Sequence, residues 1–251
     1  KRGERWEILR LKRFQKDAIA RKPIADLRPA DFAKWRDERL REVAPGSVNR
    51  EMTLLSAVMT VARKEWGLVD QNPLADVRKP TKPPPRDRLV TQAETDALRE
   101  AAGTDLNRVT PRAFHAFLFA IGTAMRAGEI VGMTWADVDL ERRVVSLPMT
   151  KNGTSRDVPL SREAVRLLRE LPKSDPVFNI TSRQLDVLWR KIRDAAKIND
   201  LKFHDSRHEA ITRLARKLEV LDLARMVGHK NISELMSYYN ARAEDIATRL
   251  D

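Results

Sequence analysis

The sequence predicts a mainly α-helical chain in two bodies, with a small antiparallel β-sheet in the second. Three observations carry that fold class. Most apolar stretches repeat at helical spacing behind residues that cap helices. A basic, proline-rich segment interrupts the chain near residue 80. Strand and hairpin character is confined to Val144–Leu147 and the Asn152-Gly153 pair that follows. A length of 251 residues suits one large domain or two modest ones, and 42% apolar residues suffice for a packed core.

Taken in order, Trp6, Leu9, Phe14 and Ile19 mark a first helix that also carries Lys1, Arg2, Arg5, Arg10, Lys12, Arg13 and Lys16. Leu27 to Asp31 reads as a turn with an N-cap, opening a helix through Val43. Pro45-Gly46-Ser47 ends that helix, and Ser47 caps the next. The next helix places Val48, Met52, Leu55, Val58, Met59 and Ala62 on one face, and Asn72-Pro73 closes the segment. Val77 to Arg88 holds four prolines and five basic residues in twelve positions, which suits neither a helix interior nor a central strand. The expected division is therefore a helical body at 1–79, a linker at 80–88 and a second body at 89–251. In the second body, Thr91-Gln92-Ala93-Glu94 reads as a capping box. Further helices are expected from Pro111 to Ile121, from Arg126 to Met133 and from the Ser161 cap to Leu171. The chain from Ser182 onward reads as helical with a break at Gly228, and Ala241 to Leu250 as a last helix.

Composition excludes several function classes. With no cysteine, the chain has no disulfide scaffold, Cys-ligated metal or Cys nucleophile. The most apolar stretch, Ala113 to Met125, contains His115 and is too short to span a bilayer. The charged start is not a signal-peptide core, so the chain reads as soluble and intracellular. Lacking an initiator Met, it reads as a fragment or processed form. The net charge of +12 points to a polyanionic partner. That excess is densest in residues 1–80, with 19 Lys and Arg against 12 Asp and Glu. Two basic bodies on a basic linker suit a C-shaped clamp on duplex DNA, held mainly by phosphate contacts.

Cutting a phosphodiester without a metal or nucleotide needs a nucleophile, charge on the non-bridging oxygens, and a proton donor to the leaving oxygen. Arginine suits the second task because it stays charged and forks onto phosphate. His204 and Arg207 are three apart, so a helix puts them on one face. Gly228-His229 fits a helix end, and Tyr238 and Tyr239 are the only tyrosines. Singly, each has a bland reading: a solvated face, a helix-end contact, packing. His115, on an apolar face, reads as a satisfied core histidine, and His208 as a packing or supporting group.

The combination is more specific. Thr123-Ala124-Met125-Arg126-Ala127-Gly128-Glu129-Ile130, a hairpin with Lys151 at its turn, His204-x-x-Arg207, Gly228-His229, and a tyrosine nine residues later occur in that order. This series resembles the tyrosine recombinase, or phage integrase, family across essentially the whole chain. The resemblance implies a small helical core-binding (SAM-like) domain followed by a catalytic domain. It implies that Arg126 and Arg207 clamp the scissile phosphate, that His204 assists as proton acceptor or hydrogen-bond donor, and that His229 donates to a non-bridging oxygen. Lys151 would protonate the departing 5′ oxygen, and Tyr238 would attack phosphorus to give a 3′-phosphotyrosine; Tyr239 has a ten-residue offset and fits less well. Glu129 would orient Arg126 or be a surface charge. Departures are Ala124 for the usual Gly, Ala127-Gly128 for a more polar pair, and Ser206 for the usual Leu, all at non-contact positions. The implied enzyme needs no metal and no cofactor. Its partner is double-stranded DNA and not a membrane. It would be a monomer when free and a homotetramer on two DNA sites, with the last helix docking on a neighbour, and would work in a prokaryotic cytoplasm through a Holliday junction. Three other readings stay open: a type IB topoisomerase, an inactive DNA-binding protein of the same fold, and an unrelated RNA-binding helical protein, against which the absence of an aromatic-basic strand argues.

Overall fold

Helical periodicity organises both compact units of the chain, residues 1–86 and 87–251. The computed structural model describes residues 3–81, 83, 84, 86–148, 155–229 and 231–239.

In the first unit, α1 (Glu4–Phe14) has Glu4 and Glu7 in its first turn and Lys12 and Arg13 in its last, charges that suit the helix dipole. It stops at Phe14, so Ile19 is not on this helix as expected. Ile19 sits on a short 3-10 turn, Ala18–Arg21, yet still packs with Leu11 and Phe14 against the core. The redirection is anchored by Asp17, which accepts a hydrogen bond from Trp35 Nε1 at 2.7 Å. Trp6 and Leu9 face outward. Helix α2 (Pro29–Leu40) ends three residues before Val43, and its N-cap lies within the expected turn. Arg28 occupies that position, Pro29 is the first helical residue, and the Asp31 carboxylate reaches back to the Arg28 N–H at 2.8 Å. Helix α3 (Pro45–Lys64) contains Pro45 and Ser47 instead of following them. Proline is well placed at a first helical position, where its missing N–H has no partner to lose. Val48, Met52, Leu55, Met59 and Ala62 are buried as the periodicity requires, while Val58 is at the margin. Phe32, Trp35 and Leu74 complete this core.

In the second unit, α4 (Gln92–Ala102) opens on the expected capping box. Glu94 N–H donates to Thr91 Oγ1 at 3.2 Å, and Thr91 N–H to the Glu94 carboxylate at 3.0 Å. Helix α5 (Val109–Thr123) is apolar and buried nearly all round, the pattern of a central helix. Then follow α6 (Ala127–Gly132), β1 (Val138–Asp139), β2 (Val144–Leu147) and β3 (Arg156–Pro159). The sheet runs β1-β2-β3, antiparallel throughout, with Val145 opposite Val158 and Leu147 opposite Arg156. At two residues, β1 is too short to show alternation in the sequence. The Asn152-Gly153 turn and Lys151 lie outside the described residues, as does Ala241 to Leu250. Helix α7 (Arg162–Glu170) is capped by Ser161. After α8 (Ser182–Ala195) and α9 (Asp205–Ala215), α10 (Val220–Val227) ends at Gly228 with φ +70°. Two 3-10 turns, Ile232–Glu234 and Met236–Tyr238, follow.

Helix α5 packs against α4, α6, α7, α8 and α9. Phe117 stacks on Trp189 at 4.1 Å, and Phe203 meets both rings edge-on at 5.7 Å. A separate cluster of Ala124, Ala210, Ile211, Leu223, Val227 and Leu235 joins the end of α5 to α9, α10 and the last turns, with Tyr238 and Tyr239 at its edge. This smaller cluster positions the candidate site.

Candidate active site

Three arginines and one carboxylate tie together four chain segments that are distant in sequence. Arg126 precedes α6 as its N-cap, and both its ends meet Glu129 one turn on. The backbone N–H donates to Oε2 at 2.8 Å and Nη1 to Oε1 at 3.0 Å. Arg156, at the start of β3, forks onto the same carboxylate at 2.7 and 3.0 Å and donates from Nε to the Met226 carbonyl at 3.0 Å. Burial opposes ionisation of Glu129, but hydrogen bonds from Arg156 and Arg126 outweigh it and hold the carboxyl below its usual range.

Arg207, in the first turn of α9, is buried. Its Nη1 donates to the Ala124 carbonyl and its Nη2 to the Val227 carbonyl, at 2.7 Å for the latter. One side chain thereby fixes the chain just before Arg126 and just before His229. Ala124 adopts φ +53°, the left-handed region where glycine is at ease, and this turns its carbonyl onto Arg207. Burial, then the charges of Arg126 and Arg156, pull Arg207 down to about 10, with Glu129 and Tyr238 acting the other way. Three guanidiniums against one carboxylate leave an excess of positive charge in a site sheltered from water, which an anion would relieve.

Half-buried His229 is pushed down by burial and then by Arg207; Glu234 opposes this. Its Nδ1 is 3.4 Å from Glu234 Oε2 without hydrogen-bonding geometry, and this buried polar atom has no hydrogen bond among the described residues. The two tyrosines differ sharply. The Tyr238 hydroxyl meets His208 Nδ1 at 2.9 Å; burial raises its ionisation above the phenol value, and Arg207 opposes. The Tyr239 hydroxyl donates to the Leu218 carbonyl at 2.8 Å, and burial with Glu219 and Asp222 raises its ionisation.

The structure thus brings Arg126, His229 and Tyr238 within the electrostatic reach of Arg207. His204 is the exposed N-cap of α9, its carbonyl accepting from Arg207 N–H at 3.1 Å. Lys151 lies outside the described residues. His115 is a core group whose Nε2 bonds the Leu167 carbonyl at 2.8 Å; burial pushes its ionisation down. Among the described residues, no three His, Asp or Glu side chains cluster as a metal site requires.

Arg156 was not legible as a site residue. A charged residue opening a short strand reads as solvated, and only the fold supplies Glu129 and Met226 as partners. Gly228 is held to the same network. A Cβ there would meet the Arg156 side chain at 3.1–3.3 Å, at a φ that disfavours any side chain. Gly228→Ala is expected to cost about 1–2 kcal/mol in urea unfolding, from left-handed strain and displacement of Arg156.

The Phage integrase family model matches residues 88–245. A protein of Haemophilus influenzae named as an integrase/recombinase is 39% identical over 259 residues, covering 100% of this chain and 85% of the relative. The shufflon-specific DNA recombinase of Escherichia coli is 36% identical over 263 residues, covering 100% and 67%. The Tn1549 transposon integrase, solved with circular intermediate DNA, superposes with a TM-score of 0.77 at 20% identity over 100% of this chain and 94% of that one. A lambda integrase tetramer on a Holliday junction gives 0.70 at 20% identity, covering 91% and 70%. At that identity the likeness is one of fold. No helix among the described residues is long and apolar enough to cross a membrane.

Proposed function

The chain belongs to the phage integrase family of tyrosine-type site-specific recombinases, and from that premise we propose that it cuts and rejoins double-stranded DNA through a 3′-phosphotyrosine on Tyr238. The carrying observation is the sheltered excess of guanidinium charge around Arg207 with the Tyr238 hydroxyl within its field. Arg126 and Arg207 would fork onto the non-bridging oxygens of the scissile phosphate and stabilise the charge that develops there. His229, kept neutral, would donate an N–H to the same oxygens. His204, one turn before Arg207, would add a hydrogen bond from the open end of α9. Lys151 would protonate the departing 5′ oxygen. The covalent bond conserves the phosphodiester energy, so a second 5′-hydroxyl can rejoin the strand without ATP.

The helical body at 1–79 would bind DNA beside the core site, the basic linker at 80–88 would follow its backbone, and the body at 89–251 would perform the chemistry. Solved relatives bound to core-site DNA and to a Holliday junction support a homotetramer on two sites, exchanging strands in pairs. The cytoplasm of a prokaryotic cell is the matching compartment.

The test is covalent capture. A pool of end-labelled duplexes with randomised core and a nick is incubated with the protein without metal or ATP, and denaturation-resistant adducts are recovered and sequenced. Wild type and Tyr239→Phe are expected to form the adduct, and Tyr238→Phe to lose it completely. An adduct lost only with Tyr239→Phe would move the nucleophile by one residue. DNA bound by wild type without any adduct would favour the inactive DNA-binding reading. Relaxation of supercoiled plasmid without paired sites would favour the topoisomerase.

A further inference from the structure

We propose that His208 takes the phenolic proton of Tyr238 as the strand is cut and returns it as the strand is rejoined. The inference rests on Tyr238 being the nucleophile. The Tyr238 hydroxyl and His208 Nδ1 are 2.9 Å apart, and the two rings lie 5.1 Å between centroids at 51°. The contact joins the start of α9 to the last 3-10 turn, thirty residues on. Successive helical residues diverge by about 100°. Arg207 therefore reaches the Ala124 and Val227 carbonyls while His208, its neighbour, faces the tyrosine.

Chemistry gives that placement its meaning. Half-buried and raised in its ionisation, Tyr238 is a phenol at neutral pH, so its proton must leave as its oxygen bonds phosphorus. Arg126 and Arg207 hold no lone pair that can receive it. A neutral imidazole with its hydrogen on Nε2 presents Nδ1 as an acceptor to the hydroxyl. In cleavage the Tyr238 O–H bond breaks, the proton passes to Nδ1, the phenolic oxygen bonds phosphorus, and the bond to the 5′ oxygen breaks as that oxygen takes the proton that Lys151 is proposed to supply. In rejoining, the incoming 5′-hydroxyl gives its proton back to the Lys151 amine as its oxygen bonds phosphorus, the tyrosyl ester breaks, and the imidazolium returns its proton to the phenolate. The charge that acts on Tyr238 is that of Arg207, on which Arg126 of α6 and Arg156 of β3 act in turn; Glu219 and Asp222 act on the neighbouring Tyr239. The Tyr239 hydroxyl donates to the Leu218 carbonyl and takes no part in the pair.

The chain has only two tyrosines, so 3-fluorotyrosine in its Tyr239→Phe variant reports Tyr238 alone. Two readouts are needed: the fluorine resonance across a pH titration without DNA, and single-turnover adduct formation on the duplex recovered by covalent capture. His208→Phe keeps a ring for packing, and His208→Asn restores a polar group near Nδ1. In His208→Phe the fluorine resonance should move and lose any inflection due to the imidazole. Adduct formation should slow roughly 100-fold at neutral pH, with DNA affinity unchanged. The deficit should shrink as pH rises and when the more acidic fluorophenol replaces the phenol, and His208→Asn should recover part of the rate. An unmoved resonance, a wild-type rate in His208→Phe, or a loss indifferent to both pH and fluorination would overturn the role of His208. Each of these leaves Tyr238 as nucleophile wherever Tyr238→Phe still abolishes the adduct. An adduct that survives Tyr238→Phe overturns both.

Discussion

Arg207→Met should lower the rate of covalent adduct formation by about three orders of magnitude or more, and Arg207→Lys should recover little of it. Removing a single preorganised donor from a developing anion costs about 10²–10³ in rate, and an arginine on a transferring phosphoryl group is worth about 10³–10⁵. Arg207 combines both properties. It is buried, and its orientation is fixed by the Ala124 and Val227 carbonyls. Lysine keeps the charge but cannot hold two carbonyls and still fork onto phosphate. The loss should not come from unfolding. Two carbonyls left unpaired cost about 1–3 kcal/mol each. Against this, burial and the neighbouring guanidiniums pull Arg207 down to about 10, so holding its charge in the folded state costs roughly 3 kcal/mol. For a base depressed on folding, that cost is fully present at neutral pH and is relieved only as pH rises above about 10. The opposing effects nearly offset, and the melting temperature of Arg207→Met should stay within a few degrees of wild type. Sulfate or phosphate should raise the melting temperature of wild type more than that of the variant, because an anion relieves the same repulsion.

Glu129→Gln should produce the largest loss of stability, about 3 kcal/mol, or roughly 6–12 °C in melting temperature for a chain of this size. The Glu129 carboxylate accepts from Arg126 and from Arg156, whose side chain is 7% exposed, in a site that already repels Arg207. Glutamine turns one acceptor into a donor facing a guanidinium and removes the neutralising charge. With Arg126 no longer held, adduct formation should fall about 100-fold. The pH dependence separates this from simple repacking. Because the folded-state carboxyl is held below its ordinary value, its contribution is complete above about pH 4.5 and is lost as pH falls through the folded value. Acid titration of stability should therefore be shallower for Glu129→Gln than for wild type below about pH 4.5.

Much of this was legible in the sequence, for local reasons. Thr91 and Ser161 cap helices through side-chain hydrogen bonds within three residues, so their signals need no tertiary context. Proline was harder to read. At Pro29 and Pro45 it opens a helix, whereas a reading by exclusion makes it end one. Ile19 reads as a continuation of the first helix, but the helix ends at Phe14, and Asp17 between them accepts a hydrogen bond from Trp35. At the candidate site, the order Arg126, His204, Arg207, His229 and Tyr238 could be read along the chain, because each stands in a short motif. Arg156 could not. Its meaning comes from Glu129, 27 residues earlier, and from the Met226 carbonyl, 70 residues later. The pairing of His208 with Tyr238 was hidden for the same reason, since it exists only once the last turns fold back onto α9. The choice between two adjacent tyrosines rested on spacing alone; the structure adds that one hydroxyl faces an imidazole and the other a backbone carbonyl.

Tyr238 is proposed to carry the broken strand. The most direct measurement is mass spectrometry of the captured adduct after nuclease trimming and proteolysis. One modified peptide is expected, with a nucleotide joined through its 3′ phosphate to Tyr238, and a free 5′-hydroxyl on the released strand. A nucleotide on Tyr239 or any other residue, or attachment through a 5′ phosphate, would contradict it.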